Sequence, residues 1–409
     1  MKIGIVTAWF AAGAGYVSKA YRQLLEKEHT VLIYARAGEC RKGDPAWDDS
    51  SVTWAPEHYV STGIWSRHFR AWIRSNKVDI IIFNEQRHWL PVVVAKQEGV
   101  IVGAYVDYYT QKTVPVFSLF DFLLCNTRKH FSVFSWHPHC FFLPWGIDLE
   151  RFKPAEKPKD QGRLVTYVVS AGWEGLWDDD RRGSLLALES LRKVKGACCL
   201  KVFSQVPANR MRPKWRDALS ADSRVELVVG TFDPFPFTEG DVYLYPSRLD
   251  GIGLSLPEAV GSGLAAIVTN AAPMNEFVIN NYNGVLVEVT KCLGRWDGYY
   301  WAESVCDSDS LSNAMQRYLD DSQLLETHKR NARTFAVDHL EWSKNGPKLL
   351  EIVASAQRTA LTVEGLRKAE TADNYYSPNV YQLIKRVCSC LLTVAKYCGV
   401  ALFHGNPYR

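Results

Sequence analysis

Short runs of consecutive apolar residues recur along the chain, and between them apolar positions return at helical spacing. The runs at residues 3–7, 31–35, 79–84, 100–106, 121–125 and 141–143 are rich in Val, Ile, Leu and Phe. They read as strands of a parallel sheet buried on both faces. Helical spacing between them predicts helices at 16–27, 65–76, 91–97 and 128–135, and the polar stretch 36–64, rich in Trp, Asp and Pro, reads as a surface excursion. A second alternation starts at 164. Strands are predicted at 164–170, 199–204, 225–230, 242–245 and 265–269, with helices at 184–194, where Ser184 is placed as a cap, 308–318 and 323–337. Strand–helix alternation of this kind implies two doubly wound α/β domains, with ligands at the carboxyl ends of the strands. The Lys- and Pro-rich piece 153–162 reads as the linker. The expected division is 1–153, then 163–350, then a linking segment 351–380, with an apolar helix at about 381–409 returning to the first domain.

The stretch 242–287 organises the second half. A strand breaks at Pro246, and a glycine-studded turn follows, Leu249-Asp250-Gly251-Ile252-Gly253-Leu254. Ser255 is placed to cap a short helix, with Pro257 and Glu258 in its first turn and Gly261 and Gly263 at its end. Strand, glycine turn and helix start present unpaired backbone N–H groups to an anion. Asp250 and Glu258, with seven residues between them, flank this turn. Carboxylates accept hydrogen bonds from hydroxyls rather than binding phosphate. Phosphate-binding amides beside hydroxyl-binding carboxylates suit a sugar linked to a nucleotide.

Charge and length narrow the classes. The 409 residues include 48 basic and 44 acidic side chains, a balance that makes no demand for nucleic acid. The ten cysteines show neither zinc spacing nor a compact secreted framework, which favours reduced thiols in a cytosol. Met1-Lys2 leads directly into the first strand, leaving no room for a signal peptide, and no apolar run is long enough to span a bilayer. The expectation is a cytoplasmic protein, with peripheral contact at the inner membrane face through the C-terminal segment as the alternative.

Several residues together carry a family resemblance. The text PSRLDGIGLSLPEA resembles the donor-site signature of the GT-B retaining glycosyltransferases of family GT4, Pro-Ser-x-x-Glu-Gly-Phe-Gly-Leu-x-x-x-Glu-Ala, with Asp250 in place of the first Glu. MNEFVINNYNGVLV is similar to the family's closing segment, with Glu276, Asn283 and Gly284 in place. Residues 144–154 resemble its interdomain segment, and Arg182-Gly183 stands where members carry Lys-Gly. The family's Arg directly after the preceding strand is missing, and Gly172-Trp173 stands there instead. The resemblance implies two facing Rossmann-like domains with the ligand cleft between them. It implies transfer of a hexose-type sugar from a nucleoside diphosphate sugar to an acceptor hydroxyl, with retained configuration, no cofactor and no bound metal. It further implies that Glu258 binds ribose hydroxyls and Asp250 the transferred sugar. Gly251, Ile252, Gly253 and Leu254 would hold phosphate and sugar, and Arg182 the diphosphate. Gly13 and Gly15, after the first strand, are assigned either to donor approach or to a tight turn. At the strand end near 106 the family's His-Asp pair is reduced to Asp107, because Val106 fills the His place. Cell-surface polysaccharide or lipid-linked glycan assembly is the commonest setting.

Other features keep two readings. Glu85 ends a strand and is either an acceptor-side general base or a capping acid. The basic helix at 65–76 is either a solvated face or an anion contact. The aromatics of 231–237 either cover a nucleobase or pack on a neighbour. The pair His137 and His139 lacks a carboxylate cluster and argues against zinc, and Asp178 to Asp180 read as solvated acids. Cys388, Cys390 and Cys398 lie in a tail that either packs on the first domain or meets a membrane. A sugar-nucleotide epimerase or a non-catalytic nucleotide-sugar binder is the alternative function. An oxidoreductase is disfavoured, since no strand is followed by a complete dinucleotide fingerprint.

Overall fold

The computed structural model describes residues 1–36, 38–155 and 164–375. The chain forms two compact units. Of the described residues, the first combines those of 1–126, 130–143 and 347–375, and the second those of 127–129 and 144–346.

The first unit is built on a seven-stranded sheet: β1 (Lys2–Thr7), β2 (Thr30–Ala35), β3 (Val52–Trp54), β4 (Ile80–Asn84), β5 (Ile101–Tyr105), β6 (Phe122–Cys125) and β7 (Cys140–Phe142). All pairings are parallel and the spatial order is β3-β2-β1-β4-β5-β6-β7. The second unit has β8 (Val165–Gly172), β9 (Cys198–Ser204), β10 (Val225–Val229), β11 (Val242–Tyr245), β12 (Ala265–Thr269) and β13 (Gly284–Val287), again all parallel, in the order β10-β9-β8-β11-β12-β13. Strand order reverses between β1 and β4 in one sheet and between β8 and β11 in the other. A ligand belongs at those switch points. Central strands β4 and β12 are buried at every residue, whereas the edge strand β10 is half-exposed. That contrast explains why the central strands read as unbroken apolar runs.

Three expectations need correction. The polar stretch after β2 is not only a surface excursion: it supplies β3 and buries Trp47 and Trp54. Trp9 donates its indole N–H to the Trp47 carbonyl, and the two rings meet edge-on at 5.2 Å. Tryptophan among acids and prolines gave no strand-like alternation there, so the edge strand was hidden.

The division of the chain also differs. It falls at 143/144 and 346/347, and residues 144–153 belong to the second unit. The segment taken as a linker at 351–380 instead carries helices Pro347–Ser355 and Val363–Tyr375 of the first unit, with Leu349, Ile352, Val353, Ala369 and Ala372 buried. Its anchor is Asp121, which accepts from Lys96 Nζ (2.6 Å), Val102 N (2.7 Å), Thr359 N (2.8 Å) and Thr359 Oγ1 (2.6 Å). The apolar tail and its cysteines, the returning helix expected at 381–409, lie outside the described residues.

The basic helix, Ser66–Asn76, spends two of its charges locally: Arg70 and Arg74 both pair with Glu98, at 2.7 and 2.6 Å. Finally, neither expected serine cap forms. Ser255 and Ser184 are the first helical residues, preceded by Leu254 and Gly183 without side-chain caps, and their hydroxyls bond Tyr243 and Glu174. By contrast, Asp307 and Asp321 do cap the two following helices, Ser308–Asp320 and Ser322–His339. The aromatic insertion 291–305 opens and closes with an antiparallel pair, Lys291–Leu293 and Glu303–Val305. Among the described residues no helix is long and apolar enough to cross a membrane.

Candidate functional site

In the second unit the loops that follow β8 and β11 meet at the switch point. The first of these starts at Gly172 (φ 57°) and is ordered from within by Glu174. The Glu174 carboxylate accepts from the Arg182 amide and the Ser184 hydroxyl, each at 2.6 Å. Burial pushes Glu174 up to about 7, with Asp180 adding to the rise. Asp180 accepts from Leu185 N (2.8 Å) and Leu186 N (3.3 Å), so it serves the start of helix Ser184–Leu191. This is a structural use for one acid of the triplet that reads as solvated. Gly183 has φ 74°, and a Cβ there would lie 2.2 Å from the Pro246 carbonyl oxygen. Only glycine lets the two loops approach this closely. The Arg248 amide then donates to the Arg181 carbonyl at 2.8 Å.

Arg182, the residue that the family resemblance assigns to the diphosphate, stands over Gly172. A Cβ on Gly172 would be 3.4 Å from the guanidinium carbon, so Arg182 occupies the space over that bare Cα. Its one side-chain hydrogen bond among the described residues is long, from Nη1 to the Ser170 carbonyl at 3.4 Å. The rest of the fork is open to an anion. A side chain at 172 would compete for that space, and Gly172 leaves it to Arg182.

The loop after β11 holds both signature carboxylates, in opposite circumstances. Asp250 is turned into the loop. Its Oδ1 meets Arg181 Nη1 at 3.1 Å, and its Oδ2 accepts from Tyr245 (2.5 Å) and Ser247 (2.8 Å). Burial alone would raise it, but Arg181, then Arg182, then the two hydroxyls hold it below the ordinary carboxylate range. Glu258, in the first turn of helix Ser255–Gly261, is half-buried and makes no side-chain hydrogen bond or ion pair among the described residues. Burial raises it to about 8, with Arg151 opposing. The amides of Ile252, Gly253 and Leu254 also make no hydrogen bond among the described residues. Gly253 takes φ 78° so the chain can pass Tyr245. Unbound amides, an open guanidinium and an unpaired carboxylate thus share one switch point with Gly251.

Two parts of the signature are structural. Asn283 accepts from Ile279 N (2.7 Å) and donates to the Phe277 carbonyl (3.1 Å), and a Cβ on Gly284 would lie 2.2 Å from the Ala266 carbonyl oxygen. The aromatics of 231–237 mostly pack on one another and on β9. Phe235 stands 4.8 Å from Phe203 and 4.5 Å from Phe237.

In the first unit, helix Gly13–Leu25 starts three residues before the expected Tyr16. A Cβ on Gly15 would lie 2.0 Å from the Phe10 carbonyl oxygen, so its smallness serves packing, while Gly13 faces open space. Glu85, just past β4, takes φ 51°, unusual for a side chain of its size, and its carboxylate makes no hydrogen bond or ion pair among the described residues. Beneath it lies Arg36, a residue sequence reasoning passed over as the start of a polar stretch. Arg36 is buried and donates to the carbonyls of Asn84 (2.7 Å), Val6 (3.2 Å) and Glu85 (3.1 Å). Burial lowers it to about 10. Asp107 follows the buried Val106 and lies 3.7 Å from His130 Nε2, whose Nδ1 is 2.9 Å from the Tyr109 hydroxyl. An imidazole thus stands near Asp107 after all, from helix Arg128–Phe134 rather than from the strand. Spacing along the chain gave no signal for it.

Residues 237–292 match the family model described as glycosyl transferases group 1. Over 223 residues the chain is 30% identical to the UDP-Gal:alpha-D-GlcNAc-diphosphoundecaprenol alpha-1,3-galactosyltransferase of Escherichia coli, a match covering 51% of this chain. The chain spans about half of that relative, 52% of its length. Among solved structures, a glycosyltransferase from Rickettsia africae superposes with a TM-score of 0.69 at 12% identity, covering 88% of this chain and 99% of that one. Anabaena Alr3699/HepE in complex with UDP and glucose gives 0.65 at 15% identity, covering 87% and 100%. With two parallel-sheet domains of seven and six strands and the matched segment running from β11 through β13, the chain has the GT-B fold and carries the group 1 glycosyl transferase signature in its second domain.

Proposed function

We propose that this protein is a retaining glycosyltransferase that moves a hexose-type sugar from a nucleoside diphosphate sugar to an acceptor hydroxyl. The observation that carries this reading is Glu258: a half-buried carboxylate that makes no side-chain hydrogen bond or ion pair among the described residues, beside three unbonded amides and the Arg182 fork. A carboxylate kept out of water and unpaired costs stability unless a ligand uses it. Paired ribose hydroxyls are a ligand of the right kind, and they donate best to the ionised form. Arg182 and the amides would stabilise the charge that grows on the diphosphate as the bond to the anomeric carbon breaks. They supply positive charge from the protein itself, so metal independence is part of the proposal. Glu85 and Asp107 are the acceptor-side acids, Glu85 suited to take the acceptor's proton.

The Escherichia coli relative is named for a UDP-galactose donor and a lipid-diphosphate acceptor, and HepE was solved with UDP and glucose. These names support a UDP-sugar donor and a glycan or lipid-linked acceptor; work at the cytoplasmic membrane face in polysaccharide assembly is part of the proposal. The test is thermal stabilisation by UDP, GDP and ADP and their sugars, with and without Mg²⁺, since a ligand of the native site raises the melting temperature by mass action. A shift selective for one base, indifferent to metal and lost in Glu258→Gln, supports the reading. No shift at millimolar ligand would overturn it. Val106, where the family has its His, favours one other reading, a nucleotide-sugar binder or epimerase without transfer. Nucleotide release that depends on acceptor excludes it.

A further inference from the structure

The site carries a second cation beside Arg182. Arg181 spends Nη1 on the Leu249 carbonyl and on Asp250 Oδ1, while its Nε and Nη2 make no hydrogen bond among the described residues. Its side chain is 32% exposed and that of Asp250 only 18%. Two adjacent arginines converging on one loop repel each other, and Asp250 is the acid that offsets them. The remaining oxygen of Asp250 already takes the Tyr245 and Ser247 hydroxyls, from β11 and the residues just after it. A carboxylate with about four acceptor sites has thus given three of them to its own domain. The side chain that is one methylene shorter than the family's glutamate keeps the carboxyl within reach of these partners instead of extending it.

We propose that Asp250 is a positioning residue. It holds Arg181 next to Arg182, so that the pair forms a two-guanidinium clamp for the diphosphate, and it does not itself bind the transferred sugar. This rests on the donor reading above and assigns Asp250 differently within it. A fork held at one nitrogen presents its free edge in a fixed direction, which suits bidentate recognition of phosphate oxygens.

The two roles separate by ligand. Binding of UDP and of UDP-galactose is measured by calorimetry for the wild type, Asp250→Asn, Arg181→Gln and the double variant. Under the clamp, each single change weakens UDP and UDP-galactose by the same factor, on the order of tenfold, as for loss of a charge-assisted hydrogen bond. The double variant is then no weaker than the worse single one, because both changes remove one interaction. Loss of UDP-galactose with UDP untouched in Asp250→Asn would make Asp250 a sugar ligand and overturn the proposal. So would wild-type affinity for UDP in Arg181→Gln, which decides the matter alone should Asp250→Asn fail to fold. If the wild type binds neither UDP nor UDP-galactose, the UDP-sugar reading itself falls, an outcome distinct from any pattern among the variants.

Discussion

Asp250 and Glu258 stand at either end of one glycine turn and ionise in opposite directions: Asp250 is held down by Arg181 and Arg182 against its burial, and burial lifts Glu258 to about 8. One carboxylate is bonded within its own domain, and the other makes no hydrogen bond or ion pair among the described residues.

The Glu258 contrast predicts a pH-dependent stability. Its folded value is above the ordinary 4.5, so folding favours the protonated form. The cost of ionising it is absent below about pH 4.5, grows as pH rises and is complete above about 8. Glu258→Gln is therefore expected to match the wild type in urea unfolding at pH 4. It should exceed it by about 1–3 kcal/mol at pH 9, a range kept below the full shift because water relaxes around a half-buried group. Equal stability of the two proteins at both pH values would show that Glu258 is not desolvated.

Gly183→Ala places a methyl group 2.2 Å from the Pro246 carbonyl oxygen, on a residue with φ 74°. The backbone must shift to accept it. A loss of at least about 2 kcal/mol is expected in denaturant unfolding.

Arg182→Ala should separate binding from stability. The guanidinium makes one long bond, so unfolding free energy should change by less than about 0.5 kcal/mol. Affinity for UDP should fall on the order of tenfold in a calorimetric titration. A destabilised variant with unchanged affinity would assign Arg182 to packing.

Asp121→Ala leaves Lys96 buried without its counter-charge and frees Thr359. Breaking a buried pair in this way costs about 3–5 kcal/mol. Cleavage by a protease should then begin in residues 347–375, earlier than in the wild type. Cleavage elsewhere would show that Asp121 does not anchor this segment.

How far the sequence reached depended on whether a residue's role was local. The central strands, the β11 turn and Glu258 were legible because apolar runs, glycines and spacing encode them within a few positions. Arg182 was legible by its place before Gly183. Its neighbour Arg181 was not, because two arginines in a row look alike until one is seen against Asp250. Arg36 and His130 escaped for the same reason: their partners at Asn84 and Asp107 are 48 and 23 positions away. The serine caps failed because each hydroxyl had a tertiary partner, Tyr243 or Glu174, that outcompeted the helix amides. The segment 351–380 looked polar enough for a linker, since its buried face is a narrow stripe of Ala372, Ala369, Ile352 and Val353.

That stripe, with Thr359 on Asp121, sets an order of assembly during synthesis. Strands β1–β7 leave the ribosome first, but the flank of their sheet that receives Thr359 and Asp373 stays bare until the whole of 144–346 has emerged. The second domain is complete in one nearly continuous length and can close on its own. The first must wait, with Lys96 and Asp121 paired but uncovered, and over that interval its unburied apolar surface is open to misassembly.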